Sequence, residues 1–215
     1  LEALAREGFR PAGEVRVLYD TDEERGNPSS RPHIERLGRD AAAALVIEPA
    51  RADGSVVSSR KGSVYSKLSV QGVEAHAGVD PERGRSAVVE LAHQILRACA
   101  LERPGGTVNV TGLAGGERPA IVAGEASCFV ELRADTQATL EEMERELLAL
   151  AGRPALEGTK LAFERRGGRL AMERNAKTGW LIGLAAEVAR EAGFTLTHTP
   201  TGGGSDGNFL PPLGV

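Results

Sequence analysis

Residues 63–71 alternate polar and apolar side chains at period two, with Val64, Leu68 and Val70 on one side, the signature of a half-buried strand. The next segments narrow the fold further. Residues 86–99 place Val88, Leu91, Ile95 and Leu96 at helical spacing, and 107–113 and 126–133 read as strands. Residues 139–150 set Leu140, Met143, Leu147 and Leu148 on one helical face, and 160–165 reads as a last strand. The order is β-α-β-β-α-β, the split βαβ or ferredoxin-like sandwich.

The flanks have a different habit. Residues 1–7 read as a helix closed by Gly8 and Pro11, and 14–19 as a strand running into the polar stretch Asp20-Thr21-Asp22-Glu23-Glu24-Arg25-Gly26-Asn27-Pro28. A short helix over 33–37 and an apolar run over 41–47, ending at Glu48-Pro49, complete a strand, helix, strand unit of the parallel α/β kind. Beyond Gly167-Gly168 that habit returns, with a helix over 178–192, a short strand at 194–197 and a Gly-rich loop. The expected fold class is therefore α/β: an α/β domain (residues 1–61 and 167–215), the catalytic part in the resemblance given below, interrupted by the sandwich (62–166).

Composition limits the functions. Lys and Arg number 26 against 30 Asp and Glu, a net charge of −4, so no basic field exists to hold a nucleic-acid backbone or an anionic membrane. No apolar run approaches the ~20 residues of a membrane helix, which predicts neither membrane nor nucleic acid as a partner. The first residues lack the order of a signal peptide, giving a cytoplasmic expectation. Aromatics make up only 4%, so the core falls to Ala, Val, Leu and Ile. Cys99 and Cys128 sit in a helix and a strand, where small buried thiols are the simpler reading.

Glu23 and Glu24 lie at the carboxyl end of one expected parallel strand and Glu48 at the end of the next, the edge where open α/β sheets bind ligands. Acidic side chains converging there suit a divalent metal, with a spare carboxylate to take a proton from water; a solvated charge run is the plainer alternative. His76 sits among small residues in Glu74-Ala75-His76-Ala77-Gly78, free to donate a hydrogen bond to developing charge. His33, His93 and His198 lack paired ligand spacing. Gly202-Gly203-Gly204-Ser205-Asp206 offers backbone amides to an anionic or carbonyl oxygen. Arg165, Arg166 and Arg169 flank the expected domain junction, where a guanidinium fork can hold a carboxylate.

Taken jointly and in order, the Asp-Glu-Glu loop, Glu48-Pro49, the Ala-His-Ala-Gly loop, Arg133, Gly168-Arg169 and Thr201-Gly202-Gly203-Gly204-Ser205-Asp206 resemble the zinc aminoacyl hydrolases. These are the bacterial glutamate carboxypeptidases with acetylornithine deacetylase and succinyl-diaminopimelate desuccinylase. The resemblance implies Glu23 as general base, Glu24 and Glu48 as ligands to two zinc ions (cobalt or manganese being alternatives), and an amide bond of an N-acyl amino acid or peptide as the target. It implies that the sandwich is a lid and dimerisation domain of a homodimer. His76 would then reach the partner's site, and Arg133, Arg169, Gly203, Gly204 and Ser205 would contact the substrate.

Three further metal ligands of that family, a His and an Asp upstream and a His downstream, have no counterpart, so an internal fragment that is inactive alone is expected. The family's Asn, with Pro three residues on, is replaced by Ala120 and Ala123, and Ala donates no hydrogen bond. Two other readings stand beside this one: an RNA- or small-molecule-binding sandwich using Tyr65 and Phe129, and a dimerisation protein without catalysis.

Overall fold

The computed structural model describes residues 2–49 and 51–215. Its centre is a four-stranded antiparallel sheet, built from β2 (Gly62–Gln71), β3 (Gly106–Gly115), β4 (Glu125–Ala134) and β5 (Lys160–Arg169) in the order β3-β4-β2-β5. Helices α3 (Ala87–Cys99) and α4 (Gln137–Ala149) pack on one face of it. The alternation along β2 becomes a division of labour: Val64, Leu68 and Val70 join Val130, Leu132, Leu140, Met143 and Leu147 in the core, while Tyr65 faces out. Both helices begin on a hydroxyl cap, Ser86 accepting from the Val89 N–H and Thr136 from the Thr139 N–H. The β-α-β-β-α-β order read from the sequence is the order observed, and β5 keeps its ladder with β2 through Arg169.

The flanking region is thinner. It holds α1 (Glu2–Arg6), α2 (Arg31–Gly38), β1 (Val56–Arg60), α5 (Ala176–Glu191) and β6 (His198–Thr201), with β1 and β6 paired in parallel. Of the helix expected over 1–7, Leu1 lies outside the described residues. Two expected strands do not form: residues 14–19 and 41–47 make no ladder, leaving Leu45 77% and Ile47 91% exposed. Their apolar pattern is that of a buried strand, but a strand exists only beside a partner, and none lies beside them among the described residues. The strand expected at 194–197 falls at 198–201, where the pairing of Val56 with His198 sets the register. A second small core gathers Ile34, Phe209 and Leu210. Among the described residues no helix is long and apolar enough to cross a membrane.

One buried charge stabilises the sandwich. Glu90, fully buried on α3, accepts from Gln94 Nε2 (2.6 Å), the N–H groups of Ala155 (3.0 Å) and Leu156 (2.6 Å) and the Thr159 hydroxyl (3.2 Å). Burial pushes its carboxyl up, but the four donors outweigh burial and hold it below the usual carboxylate range. The loop between α4 and β5 is thus tied to α3. Because the folded carboxyl is the stronger acid, its contribution is present above the unfolded glutamate pKa and fades as pH falls through the folded value. Glu90→Gln, which turns an amide donor toward one of the two backbone N–H groups whichever way it is set, is expected to cost about 2 kcal/mol at about pH 7. In urea unfolding the difference from the parent should shrink toward about pH 4 and below, where the parent itself loses the carboxylate.

Candidate active site

The sandwich and the flanking region are joined at two crossings, Lys61 between β1 and β2 and Leu170 after β5. The crossings are bonded to each other, since Arg60 and Met172 exchange both backbone hydrogen bonds (2.9 and 3.0 Å). Asn208, fully buried, donates from Nδ2 to the Lys61 carbonyl (3.2 Å) and the Leu170 carbonyl (2.7 Å), and its Oδ1 accepts from the Ser205 N–H (2.9 Å). Gly168 is required here: it sits at φ 152°, and a Cβ would lie 2.2 Å from the Ser63 carbonyl oxygen.

The ladder brings Arg133 on β4 and Arg169 on β5 opposite Ser63 on β2, so both guanidinium stems rise from the sheet face away from the helices. Arg169 crosses to the flanking region. It donates to Glu23 Oε1, to the Glu23 carbonyl (2.6 Å) and to Asn27 Oδ1 (2.8 Å), and its guanidinium lies 5.8 Å from the Phe209 ring centre. Glu23 opens a single 3₁₀ turn, Glu23–Arg25, closed by Gly26 at φ 83°. Asn27 comes next at φ 60°, a conformation asparagine tolerates. Its Nδ2 lies 2.9 Å from Asp20 Oδ2, 2.9 Å from Ser30 Oγ and 2.7 Å from Asp206 Oδ1, so two N–H groups serve three acceptors.

Charge is crowded in this cluster. Burial, with Asp20 and Glu23 nearby, pushes the Asp206 carboxyl up against the opposing pull of Asn27 and Arg169. Hydrogen bonds from Ser30 and the Ser29 N–H hold Asp22 below the usual range. Burial lowers the Arg60 guanidinium, Glu48 opposes that, and the neighbouring charges of Arg51 and Arg169 add to it.

The Gly-rich loop lies between these groups with its oxygens engaged. Arg51 donates to the Thr201 hydroxyl, Arg133 to the Gly202 carbonyl (2.8 Å), and Arg60 Nη1 to the carbonyls of Gly203 (3.0 Å) and Gly204 (3.1 Å). A Cβ at Gly204 would stand 3.1 Å from the Arg169 side chain. Ser205 is buried and caps the turn Asp206–Phe209, accepting from the Gly207 N–H (3.2 Å). Its hydroxyl therefore serves the fold.

Of the residues singled out in the sequence, Glu23, Arg133, Arg169, Gly203, Gly204 and Ser205 meet at the junction. Glu24 is exposed beside them and Glu48 is half-buried near Arg60. Among the described residues no group of three or more His, Cys, Asp or Glu side chains is placed to hold a metal ion. Glu24 and Glu48 alone fall short of the tetrahedral donor set of zinc, so these residues do not by themselves fit a zinc centre. His76 is elsewhere, beyond the far end of the ten-residue β2, a run of about 30 Å. There its Nδ1 accepts from the Gly78 N–H (3.1 Å), and the loop through Ala120 and Val122 bonds Ala77 and Ala75 on either side of it. Asn27 and Asp206 fall inside motifs quoted from the sequence without a role of their own, and Arg60 and Asn208 are not singled out. The available signal is a Gly-Asn pair, Gly26-Asn27 and Gly207-Asn208.

Residues 58–159 match the model of the Peptidase dimerisation domain family. Over 97% of its length the chain is 28% identical to Carboxypeptidase G2 of a Pseudomonas species, covering 51% of that protein. Over 94% it is 28% identical to the succinyl-diaminopimelate desuccinylase of Bordetella petrii, covering 56% of it. The fold matches that of aminopeptidase PepT from Bacillus cereus with a TM-score of 0.72 at 21% identity, over 91% of this chain and 52% of that one. The chain thus spans about half the length of the curated relatives it matches. With the domain match lying on the sandwich and the wider likeness running through both flanks, residues 58–159 form a peptidase dimerisation domain in a chain related to Carboxypeptidase G2 and the succinyl-diaminopimelate desuccinylases.

Proposed function

We propose that this chain serves an amide-cleaving hydrolase acting on an N-acyl amino acid or a C-terminal peptide bond next to a free carboxylate. The supporting observation is the junction itself: the Glu23 carboxylate lies against a guanidinium group and close to a backbone loop suited to an anionic substrate. The printed names of the relatives, a carboxypeptidase and a desuccinylase, agree with that chemistry. In this reading residues 1–61 and 167–215 belong to the catalytic part and 62–166 to the lid. Glu23 is the general base, Arg133 and Arg169 orient the substrate with Gly203, Gly204 and the Ser205 backbone, and His76 acts at a partner's site. The complete gene product is expected to cleave N-acyl amino acids and to lose at least about 100-fold in kcat on Glu23→Ala. Equal cleavage of the carboxyl methyl ester, or no loss in the variant, would refute the assignment.

Glu24 and Glu48 are proposed as carboxylate ligands to zinc, with cobalt or manganese as alternatives. Metal bound by two carboxylates alone is held weakly. Elemental analysis of this chain after dialysis against trace zinc is expected to give less than about one tightly bound zinc. Two zincs, lost together in Glu24→Ala/Glu48→Ala, would mean that other residues complete the site.

A homodimer through the lid is part of the same proposal. β3 is an edge strand, and with α3 it borders a groove of about 280 Å³ lined by Val88, Leu91, Ala92, Ile95 and Leu113. Leu113 is 64% exposed, and Leu96, on the same helix as Val88, 70%. An open strand edge beside apolar side chains is stabilised by pairing across a two-fold axis. Leu113→Glu, which puts charge into that seam, is expected to turn dimers into monomers in sedimentation velocity; a parent that sediments as a monomer would overturn the proposal.

A further inference from the structure

The junction contains one arginine that the proposed reaction does not use. Arg60 ends β1, and its backbone forms half of the bond pair with Met172 that closes the double crossing. Its side chain turns to the Gly-rich loop and donates from one nitrogen, Nη1, to two successive carbonyls, those of Gly203 and Gly204. No peptide bond among the described residues is cis. In a trans peptide the C=O and the following N–H point in opposite directions. Holding the Gly203 carbonyl toward Arg60 therefore aims the Gly204 N–H away from it, and holding the Gly204 carbonyl aims the Ser205 N–H away, where Asn208 Oδ1 accepts it. The Gly204 N–H has no acceptor among the described residues. A cation at the carbonyl end also polarises the peptide and makes its N–H a better donor.

We infer that Arg60 is a positioning residue: it fixes the Gly-rich loop so that the Gly204 N–H is presented to a carboxylate or carbonyl oxygen, and it ties the loop to the crossing on which the lid is hung. The fixing of the loop stands on geometry alone. Its use toward a substrate oxygen rests on the proposed hydrolase function.

Loop and lid are thereby coupled mechanically. A rotation of the lid that alters the Arg60–Met172 pair also moves the base of the side chain that orients the loop. Arg133 reaches the same loop from inside the lid, at the Gly202 carbonyl, so the loop is held from both sides of the junction.

Hydrogen–deuterium exchange of the full chain tests the fixing without requiring activity. Arg60→Met keeps most of the apolar stem and removes the donors. The Gly203 and Ser205 amides, whose acceptors are the Thr201 hydroxyl and Asn208 Oδ1, are then expected to exchange about tenfold faster or more as the loop loosens, while β2 and β4 keep their parent rates. Arg60→Lys, which keeps a charged donor, should restore part of the protection. Unchanged loop exchange in Arg60→Met, or an equal rise throughout β2 and β4, would overturn the inference. In the complete gene product Arg60→Met should raise KM for a free-carboxylate substrate about tenfold while changing kcat less. A gene product without hydrolysis would remove the proposed function and leave the exchange result standing; active enzyme with an unmoved KM would overturn the substrate-facing role of the loop.

Discussion

Arg169 is the last residue of a sandwich strand and joins the sandwich to the acidic loop, and the arrangement of the junction follows from satisfying its guanidinium. Its three hydrogen bonds all go to the 23–27 turn, one to a carboxylate, one to a main-chain oxygen and one to the Asn27 amide. The Glu23 pair is largely buried, the two side chains being 13% and 25% exposed. Removing one partner of such a pair strands the other, a loss of about 3 kcal/mol or more. The amide then carries the network onward: with Asn27 Oδ1 held by Arg169, its Nδ2 is left for Asp20, Ser30 and Asp206. The 20–30 segment, whose one regular element here is the turn 23–25, is thus fixed against the sandwich and against the 206–209 turn at once.

The same economy governs the two crossings. The chain enters the sandwich once and leaves it once, and each crossing exposes main-chain groups that no sheet can pair. Here they pair with one another through Arg60 and Met172, and the carbonyls beyond them are taken by Asn208. Buried main-chain oxygens left without donors are costly, so a buried asparagine serving two carbonyls accounts for polarity in an otherwise apolar turn, next to Phe209 and Leu210. The turn in turn supports the Gly-rich loop. The attachment of the sandwich and the shape of the loop therefore rest on the same few residues.

How much of this was legible in the sequence depended on whether the information was local. The sandwich was readable because each of its strands and helices carries its own period, and Ser86, where the first expected helix starts, is its hydroxyl cap; the second helix starts earlier than the expected 139, on Thr136. The strands expected at 14–19 and 41–47 failed for the converse reason, since apolar content records a demand for neighbours and cannot supply them. β1 escaped notice because Val-Val-Ser-Ser-Arg is short and half polar, and only its partner β6 defines it. At the site, Glu23, Arg133, Arg169 and the glycines stood out by residue type and motif. Asn27, Asp206 and Asn208 act through contacts made with residues as far as 179 positions away, and such pairings leave no periodic trace.

Arginine is the side chain this junction needs, and the reason is geometric. Four of them, Arg51, Arg60, Arg133 and Arg169, surround one short loop in a chain whose net charge is −4. Like charges gathered so closely repel, and a half-buried site screens them poorly. The repulsion is offset locally: Arg169 faces Glu23, Arg133 also donates to Glu131 (2.8 Å), and Glu48 and Glu23 both act on Arg60. A lysine would bring the same charge as a compact, strongly hydrated point, whereas a planar guanidinium can serve acceptors of different kinds in fixed directions. Arg169 spans a carboxylate, a carbonyl and an amide oxygen in this way, and Arg133 spans Gly202 of the flanking region and Glu131 of its own strand. The acidic balance of the whole chain is thus compatible with a cationic centre because Arg169 and Arg133 are paired with carboxylates, Arg60 with loop carbonyls and Arg51 with the Thr201 hydroxyl, all within or beside the junction.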